Sequence, residues 1–114
     1  MRLMMIFKMF RPGEWAELLT KGWTGGAPVD LHDGFVHFST AAQVPETLTR
    51  HFVNDDALVL LACDAARFGD DLRWEPSRGG DLFPHLYRAL TLDDVAWTRD
   101  IGFGPQRHNT GPLE

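Results

Sequence analysis

Hydrophobic residues along the chain fall into unbroken runs, short alternating stretches and one clear helical stripe. Leu3 to Phe10 (LMMIFKMF) and Ala57 to Asp64 (ALVLLACD) are apolar almost throughout. Runs of that length without alternation predict strands buried on both faces. Gly34 to Ser39 (GFVHFS), Leu72 to Glu75 (LRWE), Leu82 to Leu90 (LFPHLYRAL) and Val95 to Ile101 (VAWTRDI) read as shorter strands. Pro76 stops the second of these. Pro84 places the third at a sheet edge or a bulge, because proline donates no ladder hydrogen bond. Trp15, Leu18 and Leu19 form one stripe of a helix opened by Pro12 or Gly13 and stopped by Gly22. Thr40 and Gln43 have capping-box spacing. Pro45 cannot sit deep in a regular helix. A short turn capped by Thr40 and a helix starting near Pro45 satisfy both, with Val44, Leu48 and Phe52 inward. Residues 23–34 (WTGGAPVDLHDG) read as a loop, 65–71 (AARFGDD) as a turn and 76–81 (PSRGGD) as a loop. Two helices come early and five or six strands follow, which predicts an α+β fold rather than a βαβ alternation.

The 114 residues suit one domain with its own core, placed over 1–100. Residues 101–114 (IGFGPQRHNTGPLE) read as a flexible tail, ending in a Leu113–Glu114 pair of the kind a cloning scar leaves. The net charge of −5 argues against a nucleic-acid coat protein, and no nucleic-acid partner is expected. The N-terminal apolar run is broken by Lys8 too early for a membrane span, so no membrane association is expected. The one cysteine, Cys63, lies in an apolar strand. It is expected to be a small core residue, and a cytoplasmic location fits.

Strand geometry sorts the polar residues. Alternate side chains share a face, so His37 lies with Phe35 and Ser39, His85 with Phe83 and Tyr87, and Glu75 with Arg73. Three strands thus each present a residue able to move a proton or hold an anion. The bland reading stands beside this: a half-buried histidine with a partner, a packed tyrosine and a surface ion pair of little worth. In Ser77 to Asp81 (SRGGD), Gly79 and Gly80 can turn backbone N–H groups toward an anion, with Arg78 beside them. An ordinary tight turn explains the same residues. The five histidines show no metal-ligand spacing, and no metal is expected. A metal-dependent hydrolase would need at least three of His32, Asp33, His37 and His85 to converge.

The segments DGFVHFSTAAQVPETLTRHF and LVLLACDAARFGDDLRWEPSRGGDLFPHLYRAL closely resemble the DUF952 family of small bacterial proteins of unknown function, over about Ile6 to Val95. The resemblance implies a compact, divergent ADP-ribosyltransferase-like fold. It would have two small, mainly antiparallel sheets around a cleft, with two short helices. It implies NAD or a related nucleotide as the ligand. FVHFST then resembles the second motif of that group, with Ser39 and Thr40 at its hydroxyl positions. Phe7 or Lys8 falls where the group has a Tyr, His or Arg. The third-motif glutamate has no counterpart in or before the 82–90 strand, and Glu75 is the nearby strand carboxylate. The resemblance therefore implies His37, Glu75 and His85 for proton or charge chemistry. Ser39, Thr40, Arg73, Trp74, Arg78, Gly79, Gly80 and Tyr87 are its ligand contacts. The function expected is binding of an NAD-like or phosphorylated nucleotide, with ribosyl-type transfer if the site is active. The alternative is a non-catalytic ligand-sensing or protein-interaction module. Convergence of His37, Ser39, Glu75, His85 and Tyr87 on one cleft separates a ligand site from scattered surface residues.

Overall fold

The computed structural model describes residues 3–104 and 107–113, without the side chains of residues 78, 104 and 107. The fold is α+β, with curled antiparallel sheets and few helices. In chain order the elements are β1 (Met5–Phe10), α1 (Pro12–Lys21), β2 (Trp23–Thr24), α2 (Pro28–Asp33), β3 (Val36–His37) and β4 (Ser39–Thr40). Then come α3 (Val44–His51), β5 (Ala57–Asp64), β6 (Leu72–Pro76), β7 (Leu82–Leu86), β8 (Leu90–Thr91), β9 (Val95–Gly104) and β10 (Arg107–Asn109). Short 3-10 turns cover Ala65–Asp71, Arg78–Gly80 and Leu92–Asp94. The main sheet has the order β10-β9-β5-β1-β4, a second sheet has the order β3-β7-β6, and β2 pairs with β8. Among the described residues there are thus three sheets and three α-helices, not the two and two expected from the sequence. No helix among them is long and apolar enough to cross a membrane.

The unalternating runs form the central strands. In β5, Leu58, Leu60 and Ala62 join one core cluster, while Val59, Leu61 and Cys63 join the other. β1 divides in the same way, with Ile6 and Phe10 on one face and Phe7 and Met9 on the other. Leu18 of α1 and Val36, Phe38 and Leu86 near or in the second sheet cover the first face. Val44 and Leu48 of α3, with Ile101, cover the second. Cys63 is buried, and the loss of water pushes its thiol pKa up to about 12, which makes it inert as a nucleophile.

Several expectations change. The segment 23–34 is not all loop. Pro28 opens α2, and Gly34, at φ 87°, closes it by donating its N–H to the Asp30 carbonyl. Leu19 of the α1 stripe is half exposed, whereas Leu18 is buried. Pro84 is not at an edge, because β7 is the middle strand of its sheet. Its carbonyl accepts the Phe38 N–H at 2.9 Å, and it has no N–H to return. The β3 ladder ends there. The chain passes Phe38 and pairs next with β1, Ser39 opposite Phe7 and Thr40 opposite Ile6. FVHFS is therefore two short strands in two sheets. The 101–114 segment is also not a loose tail where it is described. β9 continues to Gly104, β10 folds back on it, and Arg99 donates to the carbonyls of Thr110 and Pro112. Glu114 lies outside the described residues.

Asp94 fixes the start of β9. It is buried and accepts hydrogen bonds from Arg67, Arg88 and both the N–H and hydroxyl of Thr91. Burial alone would raise its pKa, but these donors outweigh burial and hold it far below the ordinary carboxylate range. The stabilisation is complete above the unfolded value of 3.8 and declines as pH falls toward the folded value. Asp94→Asn is expected to cost on the order of 2 kcal/mol in urea denaturation at pH 7. The gap to the parent protein should narrow below pH 3.8. A gap independent of pH would contradict this account.

Candidate functional site

β4 pairs with β1 only at Ile6 and Phe7. Past that point Lys8 and Met9 border a cavity of about 530 Å³, whose other walls come from α2, α3, β7 and the β3–β4 crossover. Apolar side chains dominate the lining, among them Phe7, Met9, Phe38, Phe52 and Phe83. Lys8, Arg11, Asp33, His37, Ser39, Thr47, His51, Ser77 and His85 supply the polar groups. A mainly apolar hollow of this volume with a few polar groups is the usual form of a small-molecule site.

One wall is organised by Asp30, whose side chain is wholly buried. Its Oδ2 lies 2.7 Å from the Lys8 ammonium and accepts the Ala27 N–H at 2.7 Å. Its Oδ1 accepts the His37 N–H at 3.0 Å and lies 2.6 Å from His37 Nδ1. Burial pushes the carboxyl pKa up, but the donors from His37 and Lys8 more than reverse it, so Asp30 stays ionised. Burial lowers the Lys8 pKa against the pull of Asp30. His37 Nε2 faces Asp33 Oδ2 at 3.0 Å. A carboxylate oxygen thus faces each ring nitrogen of His37. Asp33 is lowered chiefly by its hydrogen bond with His32.

Behind the β7 wall, β6 places Glu75 beside His85 of β7 and Tyr87 just after it. Glu75 Oε1 accepts the Tyr87 hydroxyl at 2.6 Å and lies 2.9 Å from His85 Nδ1. These bonds, Tyr87 first, hold the Glu75 pKa below its ordinary value, and the same contact raises that of Tyr87. The Phe35 ring stacks on His85 with centroids 4.2 Å apart and also touches His37 and Tyr87. The Arg73 guanidinium covers the outer face of the cluster at 4.2 Å from the Tyr87 ring centroid. His85 is only 5% exposed, and its Nε2 has no hydrogen-bond partner among the described residues.

Of the five residues expected to converge, three line the cavity and Glu75 and Tyr87 lie outside its lining. His37, Ser39 and His85 line the cavity, and Glu75 and Tyr87 bond to one another beside His85. Other expected contacts lie apart. Thr40 is used in a reciprocal pair with Gln43, donating its N–H to Oε1 and accepting the Gln43 N–H. Trp74, on the opposite face of β6 from Glu75, is exposed and does not line the cavity. Gly79 and Gly80 are exposed in their 3-10 turn, where the Gly80 N–H already bonds the Ser77 carbonyl. Among the described residues of that loop, Ser77 alone lines the cavity. The side chain of Arg78 lies outside the described residues. No group of three His, Cys, Asp or Glu side chains able to hold a metal occurs among the described residues. The sequence reading missed Asp30, although Pro28 and Gly34 mark its helix. Lys8 inside an apolar strand was the other available signal.

The Asp30 centre makes a sharp expectation. Asp30→Asn leaves a buried ammonium without its counter-ion and is expected to cost ~3 kcal/mol. Adding Lys8→Met should recover part of the loss in the same urea titration. Gly26→Ala should also destabilise, since its φ is +105° and a new Cβ would fall 2.2 Å from Asp30 Oδ2. A neutral Asp30→Asn would contradict this arrangement.

Comparison with known proteins gives a consistent picture. The crystal structure of protein CC0527 from Caulobacter crescentus superposes with a TM-score of 0.87 at 40% identity, covering 92% of this chain and 93% of that one. Its solution NMR structure gives a TM-score of 0.82 at 40% identity, covering 91% and 90%. A comparison with curated proteins finds no match. Residues 9–98 match the family model described as "Protein of unknown function (DUF952)", and the chain belongs to that family.

Proposed function

We propose that the cavity binds a small nucleotide-like ligand, either NAD-like or a phosphorylated nucleotide, as in an ADP-ribosyltransferase-like cleft. The observation that carries the reading is a ligand-sized hollow lined by His85, whose buried Nε2 has no hydrogen-bond partner among the described residues. The aromatic and aliphatic walls suit a planar ring. The ammonium, guanidinium and imidazole groups of Lys8, Arg11 and His37 suit a ligand with negative charge, although each already faces a carboxylate. Ser39, at the hydroxyl position of the motif strand that leads into α3, supports the same reading.

Binding has more support than transfer. A transferase carboxylate must face the developing oxocarbenium ion. Glu75 is outside the cavity lining, and its Oε1 is taken up by Tyr87 and His85. The phosphate role first given to Arg78, Gly79 and Gly80 passes to the cations of the cavity wall.

The test is an amide NMR titration with adenosine 5′-monophosphate, NAD, ADP-ribose and a 2′-phosphorylated nucleotide. At least one should shift Lys8, His37, Ser39 and His85 together, and His85→Phe should weaken that ligand. If none moves these amides at millimolar concentration, the nucleotide reading is wrong.

A further inference from the structure

The uncommitted nitrogen specifies more than the presence of a ligand. His85 Nδ1 faces a carboxylate oxygen, which can only accept, so Nδ1 carries the proton. Tyr87 donates to that same oxygen and holds the carboxylate in place. The neutral ring then presents Nε2 as a lone pair. Protonating Nε2 would instead bury an N–H donor with no acceptor among the described residues, an unfavourable state. The ring cannot turn over to exchange its nitrogens without breaking the Glu75 bond and the stack on Phe35. The neighbouring imidazole at 5.2 Å, His37, has both nitrogens committed to carboxylates and does not supply a donor. A buried acceptor is thus fixed beside apolar walls.

We propose that His85 Nε2 is the specificity-determining acceptor of the cavity, and that the ligand it selects is a ring compound bearing a hydroxyl donor. The inference rests on the cavity being a small-molecule site, but not on the ligand being a nucleotide. It excludes a bare anionic oxygen from the position beside His85, because two acceptors would face each other there. A charged group on the ligand belongs beside Lys8 and Arg11 of the lining. A site built around one buried hydrogen-bonding atom rejects analogues that lack its partner far more strongly than an apolar pocket rejects a missing methylene.

Two measurements test this in the full chain. In the ligand-free protein, long-range ¹H–¹⁵N NMR should show His85 protonated on Nδ1 and bare on Nε2. A proton resident on Nε2 overturns the proposal. The second uses phenol and toluene as probes of nearly equal shape. Phenol should bind at least ten-fold more tightly than toluene and move the His85 Nε2 resonance. His85→Phe should abolish the preference while leaving toluene binding in place, and His85→Gln, which keeps an acceptor, should restore part of it. Equal binding of the two probes, an unchanged preference in His85→Phe, or no binding of phenol at millimolar concentration each overturns it. Phenol selectivity without any nucleotide response would remove the nucleotide reading and leave this one standing. A nucleotide response without phenol selectivity would do the reverse.

Discussion

The architecture around the cavity depends on a single buried carboxylate. Asp30 joins three elements that share no ladder hydrogen bonds with one another: β1 through Lys8, the start of α2 through Ala27, and β3 through His37. An ammonium in the middle of an apolar strand would be intolerable without it. The first turn of a six-residue helix would also lose the acceptor for its leading N–H. Such a network is costly if incomplete and rigid if complete. Here Asp30 has four donors, so the wall that carries His37 is held in one place.

The cavity follows from a break in pairing. A continuous strand over 34–40 would close β7 to β1 in one surface. Proline at position 84 denies the second hydrogen bond to Phe38, and the chain changes sheets at that residue. Two residues of β4 are then all that cover the edge of β1, and the hollow opens where they stop. The crossover also puts His37 and Ser39, from different sheets, on one lining. Glu75, Tyr87 and Phe35 act beside that lining by orienting the imidazole of His85.

Much of this was legible from residue order. The two-sided burial of β1 and β5 and the grouping of His85 with Tyr87 follow from periodicity, and the burial of Cys63 follows from the apolar run around it. The missed parts share a cause. α2 is short and rich in turn-forming residues, so its hydrophobic stripe carries no signal and only its Pro28 and Gly34 punctuation survives. β3 and β4 look like one strand because a local pattern does not record which neighbour each residue pairs with. The glycine turn at 79–80 had the composition of an anion cradle, but the Gly80 N–H is spent on the Ser77 carbonyl.

The sequence by itself determined the α+β class, the doubly buried strands and the alternation that puts each polar residue on its face, because these depend on spacing along one strand. Only the tertiary structure decided that Asp30 meets Lys8, that Glu75 occupies one nitrogen of His85, and that the other nitrogen is left buried without a partner among the described residues. Those contacts join residues 10 to 22 positions apart across different elements. Their chemistry is set by burial and by what fills the remaining hydrogen-bonding positions, and neither quantity is written in the local order of residues.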